Sequence, residues 1–300
     1  MISVIIPTRN EEKNLPELLE SLKNQSYKKK FEILVVDGRS TDKTREIAKK
    51  YGCRVILQKK LGISNARNLG WKNAKGDVLI FLEADHKVNK KFLREIEKVF
   101  KKRETNCARP VVIPIQKNWI QKALAVQIEL TTRRQKAWQF PTIFRKEVLK
   151  KLGGYDESID FAEDREFPIR VKKAGYKTVL IKKAIVYAKP VDSLSRLFRQ
   201  GRWYGRGILN YFRKTKDFIT LAGVLLYSSF VPLFLLSFLN KFFLFLLAFA
   251  FLILFGYSLN GFLITKNFYS FLMIPINIIR GFGELIGLIE SLFIKKSGRL

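Results

Sequence analysis

Two long apolar stretches near the C-terminus constrain this sequence more than any other feature. Residues 218–239 and 242–264 contain no Asp, Glu, Lys or Arg, and each stretch is long enough to cross a bilayer as a helix. Residues 1–190 instead mix charged and apolar residues in the manner of a globular domain. We therefore expect a globular domain over 1–190 and a membrane domain over 218–300.

A basic segment, 191–217, lies between these two parts. Its Arg and Lys residues alternate with apolar ones, which predicts amphipathic helices at the membrane interface; a solvated basic helix is the alternative. The net charge of +30 would also suit a nucleic-acid-binding protein. Because the basic residues crowd beside the first apolar stretch, where anionic headgroups favour them, we expect a lipid bilayer as the partner and no nucleic acid.

A third apolar stretch, 268–294, is interrupted by Arg280, Glu284 and Glu290. Ionisable residues are costly at bilayer depth, so this segment either spans the membrane inside a bundle or is re-entrant or interfacial. The basic residues that follow it slightly favour the second option. Arg280 and Glu284 are four residues apart and are able to pair on one helix face.

The N-terminus and the cysteines indicate where the globular domain resides. Residues 1–7 have no basic region ahead of an apolar core, so we expect no signal peptide. Cys53 and Cys107 form no spaced motif, which predicts neither a disulfide framework nor a zinc site. We expect a multi-pass protein of the cell membrane with a cytoplasmic globular domain; its oligomeric state stays open.

Short β-like runs alternate with helical patterns in the first half of the chain. This alternation predicts an α/β domain. The predicted strands are 3–6, 31–36, 54–58, 77–82 and 107–115, with further β-like runs at 177–181 and 185–188, and the predicted helices include 64–73, 90–102, 118–137 and 163–174.

A buried strand over 78–82 ends in two carboxylates, Glu83 and Asp85. Open α/β sheets bind ligands at the carboxyl edge of their strands, and carboxylate oxygens are the ligands that hard divalent cations require. The pair therefore predicts a metal site that holds a diphosphate. His86 is the only histidine, and a loop histidine that faces water is the favoured interpretation over a metal ligand.

Asp37 ends the second predicted strand and is followed by Gly38 and by the capping residues of 40–42. A carboxylate in that position is able to accept hydrogen bonds from a nucleotide base. The alternative is a helix-capping loop, which explains 40–42 but leaves Asp37 without a role.

Taken together, these motifs resemble glycosyltransferase family 2, whose members are nucleotide-sugar enzymes of the Rossmann-like GT-A fold. The pieces occur in the family's order, and the resemblance extends over 1 to about 205. They are Val4-Ile5-Ile6-Pro7-Thr8-Arg9-Asn10-Glu11-Glu12, Asp37, Ala66-Arg67-Asn68-Leu69-Gly70, Glu83-Ala84-Asp85, Gly153-Gly154-Tyr155-Asp156-Glu157 and Glu163-Asp164.

The resemblance implies roles for these residues. Asp37 would contact the base, Asp85 would ligate Mg²⁺ or Mn²⁺, and Glu83 would lie beside the ribose and the metal. Asp164 would be the catalytic base, acting on the acceptor hydroxyl. The implied substrate-binding set also contains Pro7, Arg9, Asn10, Glu11, Arg67, Glu163 and Arg199. The chain departs from the family at position 83, where Asp is usual, so Asp85 is the preferred metal ligand.

The run Arg199-Gln200-Gly201-Arg202-Trp203 matches the (Gln/Arg)-x-x-Arg-Trp motif of cellulose, hyaluronan and ceramide-type glycosyltransferases. By this resemblance Arg202 would stabilise the leaving diphosphate and Trp203 would offer a flat face to a sugar. A Trp–Arg pair at the level of the lipid headgroups is the alternative.

These observations predict a metal-dependent, membrane-bound, inverting hexosyltransferase. The donor would be a nucleotide-diphosphate sugar, with a UDP-sugar favoured, and the acceptor a lipid hydroxyl. The enzymatic alternatives are a polyprenyl-phosphate sugar synthase and a small processive polysaccharide synthase. A non-catalytic nucleotide- or lipid-binding scaffold is the further alternative, because Glu83 changes a metal motif.

Overall fold

The computed structural model describes residues 1–134, 142–159 and 161–293. They form two compact units. The first contains Met1–Ile113 and the described part of 138–188, and the second contains the described part of 114–137 and of 189–300. The contacts thus group the segment that begins at Pro114 with the C-terminal helices. The domain bounds derived from the sequence stay a prediction.

An eight-stranded sheet forms the centre of the first unit. The strand order is β3-β2-β1-β4-β7-β6-β8-β5. β1 pairs in parallel with β2 and β4, and β2 pairs in parallel with β3, whereas β7 and β5 join by antiparallel pairing. The strands are β1 (Ile2–Thr8), β2 (Phe31–Asp37), β3 (Arg54–Leu57), β4 (Val78–Phe81), β5 (His86–Val88), β6 (Cys107–Pro114), β7 (Ile143–Arg145) and β8 (Thr178–Ala188).

Helices cover the sheet in the first unit and make up most of the second. In chain order they are α1 (Leu15–Lys23), α2 (Thr44–Lys50), α3 (Ile63–Asn73), α4 (Phe92–Phe100), α5 (Trp119–Arg134), α6 (Lys146–Leu152), α7 (Glu163–Lys173), α8 (Leu194–Thr215), α9 (Phe218–Ser237), α10 (Lys241–Thr265) and α11 (Met273–Phe293), with a 3₁₀ helix at Phe268–Ser270. α1 to α4, α6 and α7 belong to the first unit.

The α/β alternation that the sequence predicts is confirmed, with two differences. The two runs at 177–181 and 185–188 are one strand, β8, because the lysines between them are exposed and interrupt the apolar pattern but not the backbone pairing. β5 and β7 have only three residues each, too few for an alternation signal. The end of the predicted helix 118–137 lies outside the described residues, since α5 is described to Arg134.

Three helical segments of the second unit are long and apolar enough to cross a membrane: Phe218–Ser237, Lys241–Thr265 and Phe268–Phe293. The first two correspond to the charge-free stretches of the sequence. The basic segment forms one continuous helix, α8, which Ser193 caps by accepting a hydrogen bond from the amide of Arg196. Every third or fourth residue of α8 is buried, including Leu197, Gly201, Gly205 and Ile208, as expected for an amphipathic helix.

α8 and α11 pack closely through glycines on both helices. A Cβ atom at Gly201 or Gly205 would collide with the backbone carbonyl oxygen of Arg280 or Glu284. In the same way, a Cβ at Gly283 or Gly287 would collide with the carbonyl oxygens of Phe198 or Arg202. Each helix therefore carries a small-x-x-x-small pair that allows the two backbones to approach.

The charged residues of α11 fall into two groups. Glu290 accepts hydrogen bonds from Arg202, whose Nε lies 2.9 Å from Oε1, and from Arg206, whose Nε lies 2.6 Å from Oε2. Arg280 and Glu284, which the spacing allowed to pair, form no ion pair among the described residues. Arg280 instead donates from Nη1 to Oε1 of Gln127 on α5 at 3.3 Å.

We expect Gly205→Ala and Gly287→Ala to destabilise the second unit by about 1–3 kcal/mol each, because overpacking forces the helices apart. Gly223→Ala on α9 and Gly256→Ala on α10 are matched controls, since a Cβ at either position meets no atom within 4 Å. Thermal unfolding of the full chain in detergent measures the difference. Equal melting temperatures in all four variants would contradict the close packing.

Candidate active site

Several of the predicted site residues follow neighbouring parallel strands. β1 lies between β2 and β4, and Thr8 at the end of β1 is opposite Asp37 at the end of β2. Glu83 and Asp85 follow β4 directly. The carboxyl ends of these three strands form one edge of the sheet, which is where open α/β sheets bind ligands.

Asp37 is fully buried, and both of its carboxylate oxygens accept hydrogen bonds. Ser40 donates from its amide to Oδ1 at 3.0 Å and from its hydroxyl to Oδ2, and the Thr8 hydroxyl lies 3.5 Å from Oδ2. Asp37 therefore organises the loop after β2, a structural role that the sequence did not reveal. Its contact with a base stays a prediction.

The segment after β1 is tied to the loop after β2. Asn10 has a left-handed backbone with φ of 56°, donates from its amide to the Ser40 hydroxyl at 2.9 Å, and accepts from the amide of Thr41 at 2.8 Å. The amide of Glu11 donates to the hydroxyl of Thr44. Pro7 is buried in β1, and the neighbouring Arg9 is exposed.

Glu83 and Asp85 lie in the turn between β4 and β5, and His86 is the first residue of β5. The side chains of Glu83 and Asp85 are 42% and 40% exposed. His86 is mostly buried instead of facing water: its Nδ1 accepts the amide of Glu83 at 3.1 Å, and its Nε2 lies 4.0 Å from Oδ1 of Asp85. Burial lowers the pKa of His86, so the ring is neutral near pH 7 and carries its proton on Nε2.

Arg67 on α3 joins two acidic motifs. Its Nη2 lies 2.7 Å from Oε1 of Glu83 and 3.3 Å from Oε1 of Glu163, and its guanidinium lies 5.3 Å from the centre of the Tyr155 ring. Burial acts to lower the pKa of Arg67, but the carboxylates of Glu83 and Glu163 raise it on balance. Arg67 thus connects the turn after β4 to the start of α7.

The acids at the start of α7 differ in their surroundings. Glu163 is buried, and this burial raises its pKa to about 7 although the charge of Arg67 opposes the rise. Asp164 is exposed in the first turn of the same helix. Glu163 therefore faces the protein interior, and Asp164 is the acid of this pair that solvent reaches.

A second network fixes the loop that leads to α7. The side-chain amide of Asn68 accepts from the amide of Tyr155 at 2.9 Å and donates to the carbonyl of Tyr155 at 2.8 Å. Glu157 accepts from both Asn65 and Asn68. Gly154 has φ of 72°, and a Cβ there would lie 2.5 Å from the Asn68 side-chain oxygen. The sequence motifs contain these residues but did not reveal that they support one another.

The donors at this edge suit a hard divalent cation. Asp85 offers a half-exposed carboxylate, and Mg²⁺ commonly takes one or two carboxylates and completes its shell with water and substrate phosphates. Across the described residues, no three His, Cys, Asp or Glu side chains gather into a metal site. A cation held here would therefore be shared with a bound phosphate group.

The remaining predicted residues lie on α8 in the second unit. Arg199 is exposed, and the side chain of Trp203 is 43% exposed. Arg202 pairs with Glu290, a partner that sequence reasoning missed because the two residues are far apart in the chain. Its role toward a diphosphate stays a prediction.

Replacing Arg67 with Met would leave the buried Glu163 without its positive partner. Loss of one member of a buried pair costs about 3–5 kcal/mol, so we expect Arg67→Met to destabilise the first unit by that amount. Arg54→Met is the matched control, because the side chains of Arg54 and of its partner Glu32 are 40% and 17% exposed and the Nη1 of Arg54 lies 3.6 Å from Oε2 of Glu32. Denaturant unfolding followed by tryptophan fluorescence compares the two. Equal effects of both substitutions would contradict the central position of Arg67.

Comparisons with known proteins give relatives of one chemical class. The poly(ribitol-phosphate) β-N-acetylglucosaminyltransferase TarS of Staphylococcus aureus is 30% identical over 200 residues, which is 62% of this chain and 35% of TarS. The dolichol-phosphate mannosyltransferase of Pyrococcus furiosus is 43% identical over 89 residues, 28% of this chain and 25% of that protein. The chain thus spans about a third or less of the length of these relatives.

Solved structures agree on the fold. The crystal structure of residues 1–349 of S. aureus TarS in complex with UDP-GlcNAc matches with a TM-score of 0.52 and 26% identity, over 70% of this chain and 66% of that one. The mannosyltransferase PcManGT of Pyrobaculum calidifontis, in complex with GDP-Man and Mn²⁺, matches with a TM-score of 0.59 and 17% identity, over 97% and 87% of the two chains. The first unit therefore has the GT-A-like fold that the motifs implied.

The sequence profile of Glycosyl transferase family 2 matches residues 3–154, just over half of the chain. This region contains Asp37, Arg67, Glu83 and Asp85, whose placement is described above. The chain belongs to glycosyltransferase family 2.

Proposed function

We propose that this chain is a multi-pass membrane enzyme that transfers a hexose from a nucleotide-diphosphate sugar to a hydroxyl group of a lipid, with inversion at the anomeric carbon. The observation that carries the proposal is that Arg67 pairs with one acid of each acidic motif. Arg67 pairs with Glu83 and with the buried Glu163, while Asp164 is exposed and the side chain of Asp85 is 40% exposed, about as much as that of Glu83. A metal ligand and a base both need that exposure.

Asp85 is the proposed ligand of Mg²⁺ or Mn²⁺, with Glu83 beside it. When bound, the cation would offset the charge of the leaving diphosphate. The support comes from the half-exposed carboxylate of Asp85 and from the engagement of Glu83 with Arg67. The Mn²⁺ in the PcManGT complex agrees with this choice, although the likeness at 17% identity concerns the fold.

A UDP-sugar is the proposed donor. Support comes from TarS, whose structure in complex with UDP-GlcNAc is similar to this chain at 26% identity. Asp37 at the end of β2 and the loop residues Pro7, Arg9, Asn10 and Glu11 would form the nucleotide side of the site.

Asp164 is the proposed catalytic base. A hydroxyl must lose its proton as it attacks the anomeric carbon, so a hydroxyl acceptor needs a positioned carboxylate, whereas a phosphate acceptor is already anionic near neutral pH. The exposure of Asp164 in the first turn of α7 supports a hydroxyl acceptor. The three apolar helical segments support an acceptor that resides in the membrane. The basic residues just before Phe218 support a cytoplasmic position for the first unit.

Arg202 and Trp203 on α8 are the proposed contacts for the diphosphate and for a sugar. Arg202 and Arg206 together carry two positive charges against the single charge of Glu290, so the cluster keeps a net positive charge. That excess supports binding of an anion at this end of α8.

Polyprenyl-phosphate glycosylation is the second candidate, because the dolichol-phosphate mannosyltransferase of P. furiosus is 43% identical over its matched segment. Its lipid product would be stable to alkali and labile to mild acid. A processive synthase would instead yield a labelled polymer, and a scaffold would transfer no sugar. Mass spectrometry of the products made from labelled nucleotide sugars in a native lipid extract separates these cases.

We expect Asp164→Asn to lower kcat for sugar transfer to lipid by about a hundred- to ten-thousand-fold while UDP affinity is retained, because the amide cannot accept the hydroxyl proton. Glu147→Gln is the matched control, since Glu147 is an exposed acid in the first turn of α6. Transfer is measured by product mass spectrometry and UDP binding by calorimetry. Unchanged turnover in Asp164→Asn would remove Asp164 from the mechanism.

Asp85→Ala should weaken Mg²⁺-dependent binding of UDP by more than about tenfold, because a metal ligand contributes several kcal/mol to charge stabilisation. Asp77→Ala removes another acid, whose side chain is 82% exposed, and should leave the affinity unchanged. Calorimetric titration with UDP, with and without Mg²⁺, gives the comparison. If the unmodified protein binds UDP equally well with and without Mg²⁺, the metal proposal is refuted.

A further inference from the structure

The first unit carries a strongly basic surface, none of whose residues belongs to the candidate active site. Its cations come from three segments, 28–30, 90–104 and 182–183, which together contain twelve Lys and Arg residues and three acids. Eleven of the twelve cations are exposed, and the side chain of the twelfth, Arg94, is 41% exposed. We call these twelve cations the α4 surface, because α4 lies in the middle segment.

Hydrogen bonds and packing bring the three segments together. Ser26, which precedes 28–30, donates from its amide and from its hydroxyl to the carbonyl oxygen of Lys90, at 2.8 and 2.9 Å. The side chain of Asn89 donates to the carbonyl oxygen of Lys183 at 3.1 Å, and α4 packs against β8. Cations that are distant in the chain therefore form one continuous surface.

α4 presents a row of cations along its outer face. The row runs from the N-cap to the C-cap and consists of Lys91, Arg94, Lys98 and Lys101. Separations of three, four and three residues place these side chains on one face of the helix. The apolar residues of α4 are buried in the core of the first unit, so the row of cations faces away from the core.

Two of the three acids in these segments are already paired. The Oε1 of Glu95 lies 3.1 Å from the Nζ of Lys98 and 3.4 Å from the Nη2 of Arg94. The Oε1 of Glu97 lies 2.6 Å from the Nζ of Lys29. The other nine cations of the α4 surface form no ion pair with any residue that the structure describes. The surface therefore keeps a large positive charge that an external anion would balance.

Nucleic acids and membranes with anionic lipids are the two kinds of partner that suit such a surface. Surfaces that bind single-stranded nucleic acids commonly add exposed aromatic side chains on which bases stack. The aromatic residues within and beside the segments, Tyr27, Phe31, Phe92 and Phe100, pack into or against the core instead. The same chain carries three helical segments long and apolar enough to cross a membrane, which would keep the first unit beside a bilayer. Both observations favour lipid head groups.

We propose that the α4 surface binds the anionic head groups of phospholipids and so holds the first unit against the membrane surface. Each Lys or Arg close to an anionic membrane contributes about a fivefold preference for it, so nine cations without internal partners bind head groups without a deep pocket. The inference goes beyond the proposed function, because it requires neither a sugar donor nor an acceptor. It rests only on the part of that function that places the chain in a membrane.

The test uses the full chain in nanodiscs of phosphatidylcholine alone or of an equimolar mixture with phosphatidylglycerol. An uncharged amine-reactive reagent labels exposed lysines, and mass spectrometry of the peptides gives the labelling rate at each position. We expect the labelling of Lys90, Lys101 and Lys182 to fall by about fivefold or more in the anionic nanodiscs. Labelling should recover at about 1 M salt, where the screening length is about 3 Å.

The opposite face of the sheet provides a matched control. Ile80 of β4 packs in the same apolar cluster as α4, whereas the neighbouring Leu79 packs with α6. Because successive residues of a strand point to opposite faces, α4 and α6 cover opposite sides of the sheet. Lys150 and Lys151 are exposed in the last turn of α6, and their labelling should be equal in the two nanodiscs.

Two double charge reversals distinguish the α4 surface from the general basicity of the chain. Lys101→Glu with Lys102→Glu should raise the labelling of Lys90 in anionic nanodiscs by about fivefold or more, because the surface loses its hold on the head groups. Lys150→Glu with Lys151→Glu changes the net charge equally, also at the C-terminal end of a helix, and should leave Lys90 protected. UDP binding, measured by calorimetry, confirms that both variants are folded.

Equal labelling of Lys90 in the two nanodiscs would overturn the inference, as would equal effects of the two double substitutions. Stronger protection of Lys90 by a DNA duplex than by phosphatidylglycerol would also overturn it and assign the surface to nucleic acid. Failure of the chain to enter nanodiscs would refute the membrane anchoring and this inference together. Protection of Lys90 in a chain that transfers no sugar would refute the proposed reaction and support the surface.

Discussion

The ion pairs of Arg67 are the interaction on which the first unit depends. One buried guanidinium holds the turn after β4 through Glu83 and the start of α7 through Glu163. Because a buried charge is tolerated only when it is compensated, each partner requires the others. Asp85 follows its paired neighbour Glu83 by two residues and is half-exposed, and Asp164 follows Glu163 by one residue and is exposed.

The second unit follows a different principle. Its helices approach through glycines, and three of its helical segments are long and apolar enough to cross a membrane. Against that background, the charges of α8 and α11 are either neutralised, as Glu290 is by Arg202 and Arg206, or left with unused hydrogen-bonding capacity, as at Asn277 and Glu284. The first arrangement stabilises a helix pair. The second leaves buried polar groups of α11 without hydrogen-bond partners.

Sequence patterns succeeded where a signal is local. The parallel strands β1 to β4, their helices and the charge-free helices α9 and α10 all follow from periodicity and length. Patterns failed at β5 and β7, which are too short to show alternation, and at β8, where exposed lysines divided one strand into two apparent runs. They also misjudged His86, whose side chain is only 20% exposed and accepts a hydrogen bond from the backbone amide of Glu83.

The order of motifs from Pro7 to Trp203 determined the family and the α/β class of the first unit. The apolar stretches that follow determined the helical segments that are long enough to cross a membrane. Each of these signals consists of residues that are contiguous in the chain. Tertiary structure alone decided which side chains form ion pairs and hydrogen bonds with one another. It joined Arg67 to Glu163 across nearly a hundred residues, joined Arg202 to Glu290, and kept Arg280 from Glu284 although their spacing permits a pair. Ion pairing and burial depend on distances between elements, and spacing along the chain does not contain those distances.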